Sequence, residues 1–193
     1  DDWFTLAPNP ADTFASVGAF PLAATARDSA LIRTLQPGAY TAQITGGGGT
    51  GIALAELYDL APAAGTRLSN VSARSQVGAG GDVLIAGFSI TGNAPKTVLI
   101  RGIGPSLAAL GVGGTLTDPK LELYRGTVKL DENNDWQSGS LTSVFPRVGA
   151  FALVSGSRDA ALLVSLVPGS YTAQVSGVNA TTGVALIEVY EVP

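Results

Sequence analysis

Asp131-Glu-Asn-Asn-Asp135 gathers five oxygen-bearing side chains in a row. Asp131, Asn133 and Asp135 stand at positions 1, 3 and 5 of a loop, the spacing by which hard cations such as calcium collect oxygen ligands. An EF-hand loop would also carry Gly at position 6, where this chain has Trp136. Two expectations stay open here: a calcium site at Asp131, Asn133 and Asp135, or an Asn/Asp turn that satisfies its own backbone.

A second set of carboxylates is Glu56, Glu122 and Glu188, each two residues before a tyrosine (Tyr58, Tyr124, Tyr190). Paired carboxylates can do acid–base work. These three recur at equivalent mid-strand positions, which points to structure. Each is expected to pair with an arginine such as Arg33, Arg101 or Arg158, or with a tyrosine hydroxyl. Gly102-Ile-Gly104-Pro-Ser106 lacks the third glycine of a dinucleotide fingerprint, and no Gly-Lys-Ser/Thr follows it. It reads as a tight turn before one helical turn, Pro105–Leu110, which the glycines after Leu110 stop. Gly46–Gly49 is read as a flexible turn, and the sequons at Asn70 and Asn179 as unmodified.

The chain holds no His, Cys or Met. Without Cys there is no disulfide, thiolate site or thiol nucleophile. Without His, a Ser-His-Asp triad and a His-based zinc site are both excluded. A chain without Met that opens at Asp1 is expected to be a processed product or a fragment. The net charge of −4 argues against a nucleic-acid partner, which calls for a basic stripe. No apolar run approaches the length of a membrane-spanning helix. Charged residues are only 13% of 193 while apolar residues are 46%, which excludes a disordered chain.

The elements that must position these residues are duplicated. Aligned without gaps, residues 17–45 and 148–176 agree at 16 of 29 positions. Val17-Gly-Ala-Phe20 returns as Val148-Gly-Ala-Phe151, and Pro37-Gly-Ala-Tyr-Thr-Ala-Gln43 as Pro168-Gly-Ser-Tyr-Thr-Ala-Gln174. Arg27-Asp28 returns as Arg158-Asp159, and Asp2-Trp3 as Asp135-Trp136. A one-residue gap then aligns Leu54-Ala-Glu56-Leu-Tyr58 with Leu186-Ile-Glu188-Val-Tyr190. Residues 67–130 have no full counterpart earlier in the sequence. The organisation read from this is residues 1–60 as the C-terminal half of a module and 61–193 as a complete one.

Period-two alternation at Tyr40, Ala42 and Ile44, and again at Tyr171, Ala173 and Val175, puts these side chains on one face of a strand. Strands are predicted over 29–36, 39–45, 51–59, 82–91, 96–102, 120–124, 127–130, 160–166, 171–175 and 184–191. Each Pro-Gly is read as a hairpin turn joining the strands on either side of it, and Arg125-Gly126 as a two-residue hairpin. The fold class is all-β: tandem antiparallel, jelly-roll-like β-sandwich modules.

The run from Leu121 through Tyr124, Gly126 and the Asn/Asp cluster to Trp136, followed by Leu166-Val-Pro-Gly-Ser-Tyr-Thr-Ala-Gln174, resembles the bacterial pre-peptidase C-terminal domain. Arg74-Ser-Gln-Val-Gly-Ala-Gly-Gly-Asp-Val-Leu-Ile-Ala-Gly-Phe88 and Lys96-Thr-Val-Leu-Ile-Arg-Gly-Ile-Gly-Pro105 are similar to an uncharacterised family of repeats in large exported bacterial proteins. These resemblances imply a secreted β-sandwich with a non-catalytic role, at the cell surface or outside it.

The function expected from the sequence is a secreted structural protein, the subunit of a homopolymeric extracellular filament or surface layer. Its partners would be copies of itself, met through the incomplete module, with no cofactor apart from the calcium alternative. The competing expectation is an adhesion or carbohydrate- or protein-binding accessory module of a larger exported protein. A hydrolase working through carboxylates alone is a third.

Overall fold

The computed structural model describes residues 3, 10–46, 48–49, 51–60, 67–137 and 139–193. They fall into two compact units, Asp1–Leu68 and Ser69–Pro193.

The second unit holds eight strands: β1 (Asn70–Val77), β2 (Leu84–Ile90), β3 (Lys96–Ile103), β4 (Pro119–Arg125), β5 (Val128–Asn133), β6 (Ala160–Leu166), β7 (Gly169–Gly177) and β8 (Gly183–Val192). They form two four-stranded antiparallel sheets, in the orders β1-β8-β3-β6 and β2-β7-β4-β5. The core between the sheets is made of alternate residues, among them Val98 and Ile100 of β3, Leu121 and Leu123 of β4, Tyr171, Ala173 and Val175 of β7, and Ile187 of β8. The face of Tyr171, Ala173 and Val175 is the one that their alternation predicts.

β3 is buried on both faces. Its Leu99 and Ile103 point out of the sandwich, under a cap built from residues between β5 and β6. The cap contains helix α2 (Ser140–Val144) and a 3-10 turn, Phe145–Val148, and it seats Trp136, Phe145, Ala150 and Leu153 on the sheet. A two-sided strand reads as a continuous apolar run, which is how Val98-Leu-Ile100 appears in the sequence.

Several expectations change. The Pro168-Gly169 turn does not make a hairpin: β6 and β7 lie in different sheets, so the chain crosses from one to the other there. Tyr171 ties the crossover by donating its hydroxyl to the Val167 carbonyl at 2.7 Å. β1 was not foreseen; Asn-Val-Ser-Ala-Arg-Ser-Gln-Val is largely polar because it is an edge strand with an exposed outer side. α2 was not foreseen either. The single helical turn at Pro105–Leu110 is present as a 3-10 helix closed by Gly111 in the left-handed region. Gly104 is needed before it, since a Cβ there would lie 2.0 Å from the Leu116 carbonyl oxygen.

The first unit contains helix α1 (Pro10–Val17). No strand ladder forms among its described residues, although the sequence predicts strands over 29–36, 39–45 and 51–59. The sandwich supplies the reason. β6 pairs with β3, β7 with β2 and β4, and β8 with β1 and β3. Strands β6, β7 and β8 therefore pair only with strands from residues 70–125, never with one another. The repeated segment in residues 17–58 has no such strands before it in these residues to pair with.

Among the described residues, no helix is long and apolar enough to cross a membrane.

Candidate functional site

The polar centre of the second unit lies beneath the cap. Register places Arg101 of β3 directly opposite Glu188 of β8, and Leu99 opposite Tyr190. Arg101 is completely buried. Its Nε and Nη2 donate to Glu188 Oε2 at 2.9 and 2.5 Å, and Nη1 donates to the Phe151 carbonyl at 2.5 Å. The rings of Phe145 and Phe151 stand 4.9 and 4.4 Å from the guanidinium carbon, close enough for cation–π attraction. Tyr190 donates its hydroxyl to Glu188 Oε1 at 3.0 Å. Burial pushes the Tyr190 hydroxyl well above the ordinary tyrosine range, and the Glu188 charge adds to this. The expected pairing of Glu188 with an arginine is thus met by Arg101. The pair is held by hydrogen bonds on both sides, the condition under which a buried ion pair is tolerated.

Beside it, Asp159 is fully buried and accepts from four donors. The Gly104 and Ser106 amides approach Oδ1 at 2.8 and 3.3 Å, and the Ser106 and Ser157 hydroxyls donate to Oδ2, the latter at 2.5 Å. Ser106 Oγ in turn accepts the Val154 amide at 2.9 Å, and Ser157 Oγ accepts Trp136 Nε1 at 3.1 Å. Asp159 thereby ties the start of the 3-10 turn to the cap, satisfying amides that a helix start leaves without partners. The sequence reading missed this role. Its signal was the repeated Arg-Asp at Arg27-Asp28 and Arg158-Asp159.

An apolar cleft of about 270 Å³ opens at the edge of the cap, lined by Trp136, Thr142, Phe145, Pro146, Ala150, Ala152 and Leu153. Trp136 and Phe145 meet there at 5.6 Å between ring centroids.

Two of the three proposed calcium ligands lie in a strand, and Asp135 follows it in a bend. Asp131 and Asn133 lie in β5, paired with Leu123 and Leu121. Asp131 Oδ1 accepts the Glu132 amide at 2.9 Å. Asn133 Oδ1 accepts the Ala161 amide at 2.9 Å, and its Nδ2 donates to the Asp135 carbonyl at 3.2 Å. Asn133 therefore clamps the end of β5 to the start of β6. No group of three or more His, Cys, Asp or Glu side chains set to hold a metal ion occurs among the described residues. Asp1 and Asp2, their nearest counterparts in the first copy, lie outside the described residues.

Glu122 belongs to a surface cluster instead. Lys120 and Lys129 each lie 2.6–3.2 Å from Glu122 and Glu132. Hydrogen bonds from Lys129 and then Lys120 hold the Glu132 carboxyl down to about 2. Charges of both signs thus line the β5 edge, which discourages another strand from adding there. Neither β2 nor β6, the edges at the opposite ends of the two sheets, contains a charged residue.

Several local contacts of the second unit recur at equivalent residues of the first, although the Trp3 indole donates to the Ala23 carbonyl where that of Trp136 donates to the Ser157 hydroxyl. The Trp3 amide donates to the Asp28 carbonyl, as Trp136 does to Asp159. Trp3 meets Phe14 at 5.6 Å, as Trp136 meets Phe145. Gly18 and Gly149 take φ of 73° and 74°, a left-handed turn that glycine adopts without strain. Tyr40 donates to the Gln36 carbonyl at 2.9 Å, as Tyr171 does to Val167, and Tyr58 donates to Glu56 at 3.1 Å, as Tyr190 does to Glu188. Burial is where the copies part. Leu31, Tyr40 and Ile44 are 70, 58 and 59% exposed, against 8, 3 and 0% for Leu162, Tyr171 and Val175.

The chain is similar to the pre-peptidase C-terminal domain of a collagenase from Bacillus anthracis: 14% identity, with 63% of this chain and 89% of that chain covered, at a TM-score of 0.38. No family model matches the chain, and no curated protein matches it.

Proposed function

We propose that this chain is a non-catalytic structural module of an exported protein, and that it assembles with copies of itself into an extracellular filament or surface layer. The observation that carries this reading is the exposure of Leu31, Leu35, Tyr40, Ile44, Ile52, Leu54 and Leu57 in the first unit, at positions whose counterparts are largely covered in the second. An apolar set of this kind on one segment marks a surface for contact with another chain. Extended segments that lack a ladder can be taken up by the edge of another sheet. The uncharged β2 and β6 edges are suited to accept them. A contact from the first unit of one copy to the second unit of the next is head-to-tail, and such contacts propagate unless the rotation closes a ring.

Absence of catalysis is part of the same reading. The buried polar groups Arg101, Glu188, Asp159 and Ser106 bind one another, which supports a structural use for them. Negative-stain microscopy and sedimentation of the full chain against residues 69–193 test the proposal. The full chain should form large particles as its concentration rises, and the shorter chain should stay monomeric. A full chain that remains a compact monomer at high concentration overturns it.

The aromatic cleft at Trp136 and Phe145 favours a second reading, an accessory module that grips a carbohydrate or a protein. A monomer that binds such a ligand, and loses it with Trp136→Ala, would replace the filament.

A further inference from the structure

We infer that residues 29–59 are a binding segment for one kind of partner: a polypeptide with the pattern of residues 69–133, the N-terminal half of this same module. This rests on the reading of the first unit as an assembly surface and names what completes it.

Three observations converge. The structure shows that occupant already seated on the other copy: strands β1 to β5 hold β6, β7 and β8, and those three never pair with each other. Most core-facing residues of β6 and β7 recur in residues 29–45: Leu31, Leu35, Tyr40 and Ala42 are unchanged from Leu162, Leu166, Tyr171 and Ala173, and Ile44 stands for Val175, while Ser29 and Arg33 replace Ala160 and the part-buried Val164. Local features of the segment are already formed in the first unit, including the Tyr40 tie to Gln36 and the Tyr58 bond to Glu56. Such a segment needs little reorganisation to accept strands.

Stoichiometry separates this partner from a simple copy of the chain. Residues 1–193 contain one N-terminal half and two C-terminal halves. However copies of 1–193 exchange halves, each chain leaves one C-terminal half without its complement. Edge contacts between copies can cover part of that surface, but reconstituting the full sandwich takes an additional N-terminal half. It would also supply Glu56 with the arginine that Arg101 gives Glu188.

The register predicts where the two would touch. Ser89 of β2 faces Ser170 of β7, with their hydroxyls 3.1 Å apart at the surface, and the counterpart of Ser170 is Ala39. The chain has no cysteine, so two introduced thiols report on one contact alone. The test mixes the full chain carrying Ala39→Cys with a polypeptide of residues 69–133 carrying Ser89→Cys. The polypeptide is kept in urea until the two are diluted together, and dilution of the polypeptide alone gives the baseline. The expected result is a complex of one polypeptide per chain and a disulfide joining positions 39 and 89. Ile85→Cys in the polypeptide, on the same side of the strand but out of register, should not cross-link. Residues 69–193, which lack the first unit, should not retain the polypeptide. If they retain it as well as the full chain does, or if positions 39 and 85 cross-link as readily as 39 and 89, the inference fails. If the full chain assembles but ignores the polypeptide, this inference fails while the assembly reading stands. If it neither assembles nor binds, both fail.

Discussion

Residues 3–58 and 136–190 share many local instructions and reach different ends. In both, the Trp–Phe contact, the left-handed glycine and the tyrosine ties form. These contacts span short stretches of chain, so they depend on the local sequence alone. Only in the second copy do Leu162, Tyr171 and Val175 enter a core. Their burial needs strands from residues 69–133, which the sequence holds once. Local sequence writes turns, ties and extended conformation. A sheet is made by its partners.

The comparison sharpens first at the acidic residue. Glu188→Ala strands the Arg101 guanidinium in the interior, so the sandwich should lose about 3–5 kcal/mol. Glu56→Ala, at the equivalent exposed site, should fall within about 0.5 kcal/mol. Thermal melts of the two variants decide this, and equal losses would break the contrast.

Next come the leucines. Leu166→Ala removes a buried side chain and should cost about 2–5 kcal/mol by urea denaturation. Leu35→Ala should cost less than about 0.5 kcal/mol, unless the chain has assembled.

Asn133→Ala comes third. It leaves the Ala161 amide without its acceptor, at about 1–3 kcal/mol. The clamp requires the loss to be the same with and without a calcium chelator. A wild-type melting temperature that drops on chelation would show calcium at Asp131, Asn133 and Asp135 instead, because a ligand bound to the folded state raises its stability.

The smallest effect lies at alkaline pH. The folded state holds the Tyr190 proton more tightly than the unfolded chain, in which tyrosine titrates near 10. The folded state therefore binds more protons above that pH, and stability declines as pH rises past it. Tyr190→Phe should flatten this decline, and Tyr58→Phe should leave it almost unchanged. Glu132 works in the opposite sense at acid pH. Its contribution is present above the ordinary carboxyl range and fades as pH falls toward 2; its exposure keeps that contribution small.

Much of the sandwich was legible because β7 alternates and β3 carries the short apolar run Val98-Leu-Ile100. The repeat was legible because local motifs are written in consecutive residues. β1 was not, since an exposed edge strand needs few apolar residues. The pairing of strands was not, because period two reveals which face a residue takes and nothing about its neighbour across the ladder. This is why the sequence reads Pro168-Gly169 as a hairpin turn when it is a crossover. At the buried polar centre, Arg101 was one of three arginines named for the carboxylates, and only register singles it out. Asp159 and Ser106 lie 53 residues apart, a distance over which sequence spacing carries no signal.

Hydrogen exchange read by mass spectrometry on the dilute full chain tests the central claim most directly. Amides in 161–166, 171–176 and 184–191 should be strongly protected, while those in 30–35, 40–45 and 53–58 should exchange nearly as fast as in an unfolded chain, gaining protection only when a partner binds or the chain assembles. Equal protection of the two sets in the isolated monomer would contradict it, because the first copy would then have found a ladder without a second set of strands like those of residues 69–133.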